Sequence, residues 1–326
     1  MIHLLRRLGF YALAAWLSIT INFFLPRLAP GDPASLVFAR FQGQLKPESL
    51  EALKQVFGLT DAPLYQQYFT YLAHLFQGNF GISVVYYPAP VVDVISQGFK
   101  WTLFLAGTAV VISFLLGTGL GIVAAAKRGS WLDSVLPPFL SFLGAFPYFW
   151  LAMLLLYLFA FRLGWFPLGH ATSDRLTDAA LSTRLYDLIS HAFLPALSIV
   201  LATIGGWMLS MRNVMMGALG QDYVALAEAK GLSRFRIIWR YAARNALLPN
   251  MTGFGMALGF VMGGSLLTEV VFSYPGQGFL LVQAVRSQDF PLMQGLFLMI
   301  TLAVLLANWL VDLFSTLLDP RIRLGS

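Results

Sequence analysis

Six long apolar stretches, separated by polar segments, dominate the pattern of this chain. They cover approximately residues 8–28, 101–126, 135–161, 192–211, 250–272 and 292–316. A helix that crosses the ~30 Å hydrocarbon layer of a bilayer needs roughly 20 predominantly apolar residues, and these stretches are of that length. The pattern therefore predicts an all-α membrane protein with six transmembrane helices.

The composition agrees with this prediction. Hydrophobic residues make up 58% of the 326 positions and charged residues only 11%, whereas a soluble domain has about 25% charged residues. A water-soluble globular protein is thereby excluded. The chain contains no cysteine, which excludes a disulfide framework and thiolate metal ligands.

Basic residues concentrate on one side of the predicted spans. Twelve of the 21 Lys and Arg residues lie there: Arg6, Arg7, Lys127, Arg128, Arg212, Lys230, Arg234, Arg236, Arg240, Arg244, Arg321 and Arg323. The positive-inside bias predicts that both termini and the 212–249 loop are cytoplasmic, which an even number of spans also requires. No clean cleavage site follows the first stretch before Pro30, so we expect a retained helix rather than a signal peptide.

The outer loops contain further predicted elements. One helix is expected from Pro47 to Gly58, and another from Pro63 to Phe76 with an aromatic stripe. Such a stripe is typical of the membrane interface, where Tyr is enriched, and it also suits a docking partner or a solute entrance. The second outer loop, 162–191, is expected to be irregular.

Glycines at four-residue spacing predict close helix packing in two spans. They are Gly117 and Gly121 in the second span, and Gly255, Gly259 and Gly263 in the fifth. Small residues at this spacing let helix backbones approach in lipid, where apolar burial supplies little driving force. We expect a packing role for both sets.

The 212–249 loop carries a basic, amphipathic helix–glycine–helix pattern. Residues 223–230 are rich in helix formers, Gly231 suits the left-handed conformation that ends a helix, and Ser233 suits the cap of the next one. The second helix is expected to lead to Pro249. A solvated helix attracted to anionic lipid is one interpretation, but two rigid arms at a glycine corner favour a protein docking site.

The second helix of this loop has two predicted faces. Phe235, Ile238 and Trp239 form an apolar stripe. The basic residues Arg234, Arg236, Arg240 and Arg244 are expected to remain in solvent.

The chain lacks the sequence signatures of an enzyme. No HExxH, GxSxG or GxxxxGK(S/T) pattern occurs, and the four histidines are scattered. If ATP drives transport here, another chain must hydrolyse it.

Few carboxylates fall within the spans. Glu269 and Asp312 both lie towards an end, whereas ion-coupled carriers place carboxylates or broken helices near mid-membrane. Asn308 and Asp312 share a helix face and either line a path or bond to a neighbouring helix. The candidate pathway or gate residues are Met208, Met211, Glu269, Asn308 and Asp312.

The sequence resembles the B-type permease subunit of the dipeptide, oligopeptide and nickel family of ATP-binding-cassette importers. The similarity covers nearly the whole chain and rests on an ordered set of motifs: LRRLGFYALAAW, LAPGDPA, GNFGIS, LGWFPLG, DYVALAEAKGLS, RNALLPN, TEVVFSYPGQG, DFPLMQG and NWLVDLFSTLLDPRIR. It implies the type I importer permease fold, with a helical extracytoplasmic insertion between the first two of six helices. The implied division is a first span (1–29), an extracytoplasmic region (30–100), a core permease domain (101–319) with coupling loop 212–249, and a cytoplasmic tail (320–326).

The resemblance also implies that the 212–249 loop seats in a groove of a cytoplasmic ATPase. The EAA triplet of such loops falls on Ala225, Leu226 and Ala227, so the Glu of the triplet is absent and Glu228 lies three places later. The implied coupling residues are Tyr223, Ala225, Leu226, Ala227, Glu228, Ala229, Lys230, Gly231, Leu232, Ser233 and Arg234.

The partners implied by the resemblance are a homologous second permease subunit in a heterodimer, two cytoplasmic ATPases that hold ATP and Mg²⁺, and an extracytoplasmic solute-binding protein. This chain is expected in the cell membrane, in contact with lipid, with no cofactor, metal or nucleic acid of its own. Peptides are the commonest cargo of the family. The sparsely charged GGWMLSMRNVMM segment and the aromatic outer loops keep an oligosaccharide importer open, and an ion-coupled carrier is the remaining alternative.

Overall fold

The computed structural model describes residues 2–28, 62–173 and 180–318, and these ranges are largely helical. The elements in chain order are α1 (Ile2–Leu28), α2 (Leu64–Phe76), α3 (Val91–Ala126), α4 (Trp131–Gly144), α5 (Tyr148–Leu155), a first π-helix (Leu156–Arg162), α6 (Leu181–Leu219), α7 (Asp222–Ala229), α8 (Arg234–Arg236), a second π-helix (Ile237–Ala242), α9 (Ala243–Gly264), α10 (Leu266–Val271), α11 (Gln277–Arg286) and α12 (Phe290–Leu318). The predicted all-α architecture is confirmed at this level.

Several helices have the length and composition of membrane spans. In the described ranges, three pass this test: α3, α6 and the Phe290–Leu310 part of α12. The bent pair of α4 and the α5–π segment is a fourth if it is counted as one span. The apolar part of α1, Gly9–Phe24, is shorter.

The third predicted span is broken, so the prediction of one continuous helix over 135–161 was wrong. The helix axes before and after the break differ by 93°. Pro147 immediately precedes α5, and a proline lacks the N–H that a continuing helix would need and disfavours helical geometry in the residue before it. The break therefore follows from a local sequence signal.

Other helix boundaries also differ from the predictions. The α6 helix begins at Leu181, so the expectation of an irregular loop over 162–191 was wrong for its last part. The α3 helix begins at Val91 rather than at 101. The predicted second outer helix is confirmed as α2, whereas the one predicted from Pro47 to Gly58 lies outside the described residues.

The chain divides into two compact units, the first formed by residues 1–101 and 275–309. In this unit α2 packs on α1, with the ring of Phe23 centred 5.2 Å from that of Tyr68. The two helices are also joined by a hydrogen bond of 2.8 Å between the hydroxyls of Thr20 and Tyr68. The outer face of α2 retains exposed Tyr65, Phe69 and Phe76 side chains.

The first unit also joins two of the motifs that carry the family resemblance. Ser83 of GNFGIS donates a 2.5 Å hydrogen bond to the fully buried carboxylate of Asp289 in DFPLMQG. The same carboxylate accepts bonds from the backbone N–H groups of Val85 and Leu292. Burial and the charge of Asp289 raise the pKa of Tyr86, whose hydroxyl donates to Gln283.

The second unit comprises residues 102–274 and 310–326 and is organised around α6, which packs against α4, α5 and α9. The contact of α6 with α3 depends on two glycines. An added Cβ at Gly117 would lie 2.7 Å from the carbonyl oxygen of Ile204, and one at Gly121 would lie 2.6 Å from that of Met208. The predicted close packing at Gly117 and Gly121 is confirmed.

Candidate functional site

The predicted helix–glycine–helix corner is present. The α7 helix ends at Ala229, and Gly231 has a φ of 73°, the left-handed conformation expected from the sequence. The N–H of Gly231 donates to the carbonyl of Glu228 at 2.8 Å, and that of Leu232 donates to the carbonyl of Ala227 at 3.2 Å. This pair of bonds is a Schellman motif, which satisfies the last carbonyls of α7 and fixes the direction of the chain.

One face of the corner is buried against the ends of α3 and α6. Val224 and Ala227 of α7 and Ile237 of the second π-helix are almost fully buried. They form a cluster, which we call the corner core, with Met215 of α6 and Ile122 of α3. Of the implied coupling residues, Ala227 belongs to this core and Tyr223 and Leu232 pack against it. These three side chains support the corner from within.

The opposite face of the corner is exposed and mixes apolar with basic side chains. Leu226, Phe235 and Trp239 are 56%, 72% and 44% exposed. The exposed members of the implied coupling set are Ala225, Leu226, Glu228, Ala229, Lys230, Gly231, Ser233 and Arg234, and exposed Arg236 and Arg240 continue the surface. We call this surface the corner face.

The capping of α8 differs from the sequence prediction. Ser233 occupies the N-cap position of α8, but its side chain makes no hydrogen bond to the first turn, which lies wholly within the described residues. Arg234 is exposed, as expected, and its guanidinium also donates to the backbone carbonyl of Ala126 at 2.9 Å. This bond ties the corner to the end of α3, where cationic groups complement the helix dipole.

The second arm of the corner does not stop at Pro249. Helical backbone continues from α8 through the second π-helix into α9, and Pro249 lies inside α9. The corner and the fifth predicted span are therefore one helical rod, in which the π-helix adds a local change of register. Such π segments in longer helices are frequently found at functional sites.

The structure buries the two candidate pathway methionines. Met208 and Met211 are 0% exposed. Met208 packs with Leu140, Ile204 and other apolar residues, and Met211 belongs to the corner core. This position favours a packing role and leaves their proposed gate role untested.

Glu269 is fully buried where the fifth predicted span is interrupted. The α9 helix ends at Gly264, and α10 begins at Leu266. The Glu269 carboxylate accepts a hydrogen bond of 2.8 Å from Thr102 and one of 2.6 Å from Ser265. Its oxygen thus joins α3 to the interruption. A buried carboxylate requires such partners, and the arrangement favours a structural role.

The last candidate pair is only partly described. Asn308 is half-buried on α12. The side chain of Asp312 lies outside the described residues, so its predicted role remains a prediction.

Sequence reasoning missed an ion pair next to the corner core. Arg212 of α6 and Asp133 of α4 approach to 2.5 Å between Nε and Oδ1. Arg212 was counted only as a basic residue beside a span and Asp133 was not singled out, because no spacing rule connects residues so far apart in sequence. Among the described residues, no group of three or more His, Asp or Glu side chains is arranged to hold a metal ion.

Comparison with known proteins covers nearly the whole chain. Residues 117–324 match the family described as binding-protein-dependent transport system inner membrane component, and residues 1–102 match the N-terminal family of such membrane components. The chain is 32% identical over 323 residues to the dipeptide transport system permease protein of Lactococcus lactis subsp. cremoris, covering 99% of both chains. It is 36% identical over 336 residues to the di/tripeptide transport system permease protein of Pseudomonas aeruginosa, covering 98% of this chain and 97% of the relative. It is 32% identical over 311 residues to the oligopeptide transport system permease protein of Bacillus subtilis, covering 94% and 95%.

Proposed function

We infer that this chain, which belongs to the family of binding-protein-dependent transport system inner membrane components, is a permease subunit of an ATP-driven peptide importer. The three relatives described above carry dipeptide, di/tripeptide and oligopeptide in their names, which supports peptide as the cargo. The chain forms half of the solute pathway with a homologous second permease subunit. Two cytoplasmic ATPases hold ATP and Mg²⁺, and an extracytoplasmic binding protein delivers the peptide.

The proposed topology has six spans. They are α1, α3, the bent α4–α5 pair, α6, the interrupted α9–α10 pair and α12, with α2 in the insertion between the first two. The excess of basic residues around the 212–249 loop and both termini supports a cytoplasmic location for these segments.

The observation that carries the proposed coupling role is the two-sided structure of the corner. Its inner face packs into the chain, where Val224, Ala227 and Ile237 are buried against α3 and α6. Its outer face retains Leu226 and Phe235, which contribute nothing to that core and stay exposed. Exposed apolar side chains surrounded by basic ones are typical of a protein interaction surface.

The distance of the corner face from the bilayer argues against lipid as its binding partner. Fifteen residues separate Phe235 from position 250, where the fifth predicted span begins. They rise about 22 Å at 1.5 Å per residue. Even at a tilt of about 40°, Phe235 then lies roughly 17 Å from the hydrocarbon, beyond the headgroup layer of about 5–8 Å. A groove in a cytoplasmic ATPase is the partner that the proposed function requires at this depth.

The same geometry supports a route by which movement of the corner reaches the membrane spans. The rod from α8 to α9 is helical throughout, so displacement of the corner moves the fifth span. The bond from Arg234 to Ala126 and the corner core move the ends of α3 and α6 with it. Closure of the ATPases would thus tilt three spans together.

Substitution of Gly231 tests the coupling role. No atom lies within 4 Å of an added Cβ at Gly231, so a substitution there acts through its φ of +73° and not through a clash. A valine resists this conformation, whereas asparagine adopts it readily. In the complete transporter reconstituted in vesicles, Gly231→Val should assemble yet lose most ATP-dependent uptake of a labelled dipeptide, and Gly231→Asn should retain uptake.

Normal uptake by Gly231→Val would refute the coupling role of the corner. Uphill uptake without nucleotide by this chain alone would refute the ATP-driven importer and favour the ion-coupled carrier. Uptake of a labelled trisaccharide but not of dipeptide would favour the oligosaccharide importer.

A further inference from the structure

One exposed side of the α2 helix is aromatic. Tyr65, Phe69 and Phe76 are 69%, 66% and 85% exposed. Their separations of four and seven residues place them on a single side of the helix, which we call the aromatic side of α2. The 13 residues of this helix include no Lys, Arg, Asp or Glu. A surface of this composition avoids water unless something apolar covers it.

A second exposed side of α2 is polar. It is formed by Gln66, Thr70 and His74 at intervals of four residues. Thr70 directly follows Phe69, so the two sides lie about 100° apart around the axis at the same position along the helix. An amphipathic helix that lies in the plane of a membrane surface is divided in this way.

The inner side of α2 is attached to the outer part of α1. The rings of Tyr68 and Tyr71 are centred 5.2 Å and 5.5 Å from the ring of Phe23, which is fully buried. The hydroxyls of Tyr68 and Thr20 share a hydrogen bond of 2.8 Å. These contacts fix α2 at the level of Thr20 and Phe23 on α1.

This level lies within the thickness of the bilayer on the proposed topology. Arg7 marks the cytoplasmic end of the first span, and Phe23 follows it by sixteen residues. They rise about 24 Å at 1.5 Å per residue, or about 18 Å at a tilt of about 40°, which is less than the ~30 Å of hydrocarbon. The exposed side chains of α1 at this level, Ile21 and Phe24, are large and apolar. The α2 helix is therefore attached at the depth of the outer leaflet.

The aromatic side of α2 is continuous with the exposed surface of α1. Ring centroids follow one another at 5.2 Å from Phe24 to Phe23, 5.2 Å from Phe23 to Tyr68 and 6.0 Å from Tyr68 to Phe69. The two outer rings of this row, Phe24 and Phe69, are exposed, whereas the two inner rings are buried or half-buried. The row thus connects the apolar surface of a membrane span with the aromatic side of α2.

We propose that α2 is an interfacial helix whose aromatic side inserts into the outer leaflet of the bilayer, with its polar side towards the headgroups and water. The partner of this surface is lipid. The depth of α2 favours lipid over the extracytoplasmic binding protein, and tyrosine is enriched at membrane interfaces. Because α2 has no Lys or Arg, its insertion depends on the burial of apolar side chains and not on attraction to anionic headgroups.

Spin labels on this cysteine-free chain test the placement of α2. Phe69→Cys puts a label on the aromatic side, and Thr70→Cys puts one on the polar side as the matched control. Leu17→Cys, about 15 Å beyond Arg7 on an exposed face of α1, labels the middle of the bilayer. The labelled chain is assembled with unlabelled partner subunits in nanodiscs. Power saturation then measures the accessibility of each label to oxygen, which concentrates in hydrocarbon, and to a water-soluble nickel complex.

The Phe69 label should show an oxygen-to-nickel accessibility ratio at least about fivefold above that of the Thr70 label, since the apolar side of an interfacial helix is buried by about 5–10 Å. The ratio should be equal in nanodiscs of phosphatidylcholine and in nanodiscs that also contain phosphatidylglycerol. It should also remain unchanged in about 0.5 M NaCl, which screens electrostatic attraction.

Equal ratios for the Phe69 and Thr70 labels would overturn the inference, as would insertion that requires phosphatidylglycerol. Protection of the Phe69 label from both reagents only after addition of the binding protein would overturn it in favour of a docking surface. The inference rests on the proposed topology of α1, and the Leu17 label separates the two. A Leu17 label that the nickel complex reaches contradicts that topology itself, whereas a deeply buried Leu17 label beside equal α2 labels refutes only the interfacial helix.

Discussion

Arg212 of α6 and Asp133 of α4 form an ion pair, with 2.5 Å between Nε and Oδ1. Asp133 also accepts a bond of 3.0 Å from the backbone N–H of Gly129 in the turn that follows α3. The pair therefore links three helical elements at the end of the chain's second unit that carries the corner. It also fixes the rotation of α6 about its axis, because Arg212 faces α4 while Ser210 and Asn213 lie on the exposed side of α6.

Removal of one partner of this pair should destabilise the fold. Arg212→Ala leaves a carboxylate that is only 7% exposed without its cation. We expect a loss of about 2 kcal/mol, below the roughly 3–5 kcal/mol of fully buried pairs, because solvent reaches part of the arginine. The measurement is the thermal unfolding midpoint in detergent. A double-mutant cycle with Asp133→Asn should show coupling, and strictly additive losses would contradict a direct interaction.

The close approach of α3 and α6 should not tolerate a methyl group at Gly121. Gly121→Ala would place its Cβ 2.6 Å from the carbonyl oxygen of Met208, which is backbone and cannot rotate away. We expect a loss of about 1–3 kcal/mol in stability, as for other overpacked cores. Gly119→Ala is the matched control, since no atom lies within 4 Å of its added Cβ. Equal unfolding midpoints for the two variants would contradict the described helix contact.

The buried carboxylate of Asp289 should be required for the first unit. Asp289→Ala would leave the hydroxyl of Ser83 and the N–H groups of Val85 and Leu292 without their acceptor. We expect a loss of about 1.5–3 kcal/mol for a hydrogen bond to a charged group, measured as the unfolding midpoint. Exposed Asp93 supplies the control, and Asp93→Ala should unfold like the wild type. A stable Asp289→Ala variant would show that this connection is dispensable.

Substitutions of Glu269 distinguish a structural role of its carboxylate from a role in carrying protons. Glu269→Gln keeps an oxygen that accepts bonds from Thr102 and Ser265, so ATP-dependent peptide uptake should stay close to wild type. Glu269→Leu removes the acceptor and should lower both the folded yield and uptake. The readouts are uptake in vesicles and the amount of monodisperse protein. Complete loss of uptake in a well-folded Glu269→Gln variant would favour an ion-coupled role.

Local signals in the sequence were sufficient for several elements. The aromatic helix after Pro63 and the left-handed Gly231 were predicted correctly, because each depends on residues within one or two turns. The close contact at Gly117 and Gly121 was also predicted from spacing alone. The break before α5 was missed, although Pro147 marks it. The residues from 135 to 161 are apolar throughout, and this continuous hydropathy led to the prediction of one span.

By itself, the sequence determined which segments are apolar enough to be helices in a membrane and where the basic, glycine-cornered loop lies, because length, hydropathy and backbone preference are local properties. Only the tertiary structure decided which side of each helix is buried and which is exposed. In the segment from Gly205 to Met216 the sequence singled out Met208 and Met211, whereas the structure buries both and exposes Gly206, Ser210 and Asn213. The physical reason is that a helix face is buried or exposed by its neighbours, and here Gly117 and Gly121 of a distant helix draw the methionine side of α6 inward.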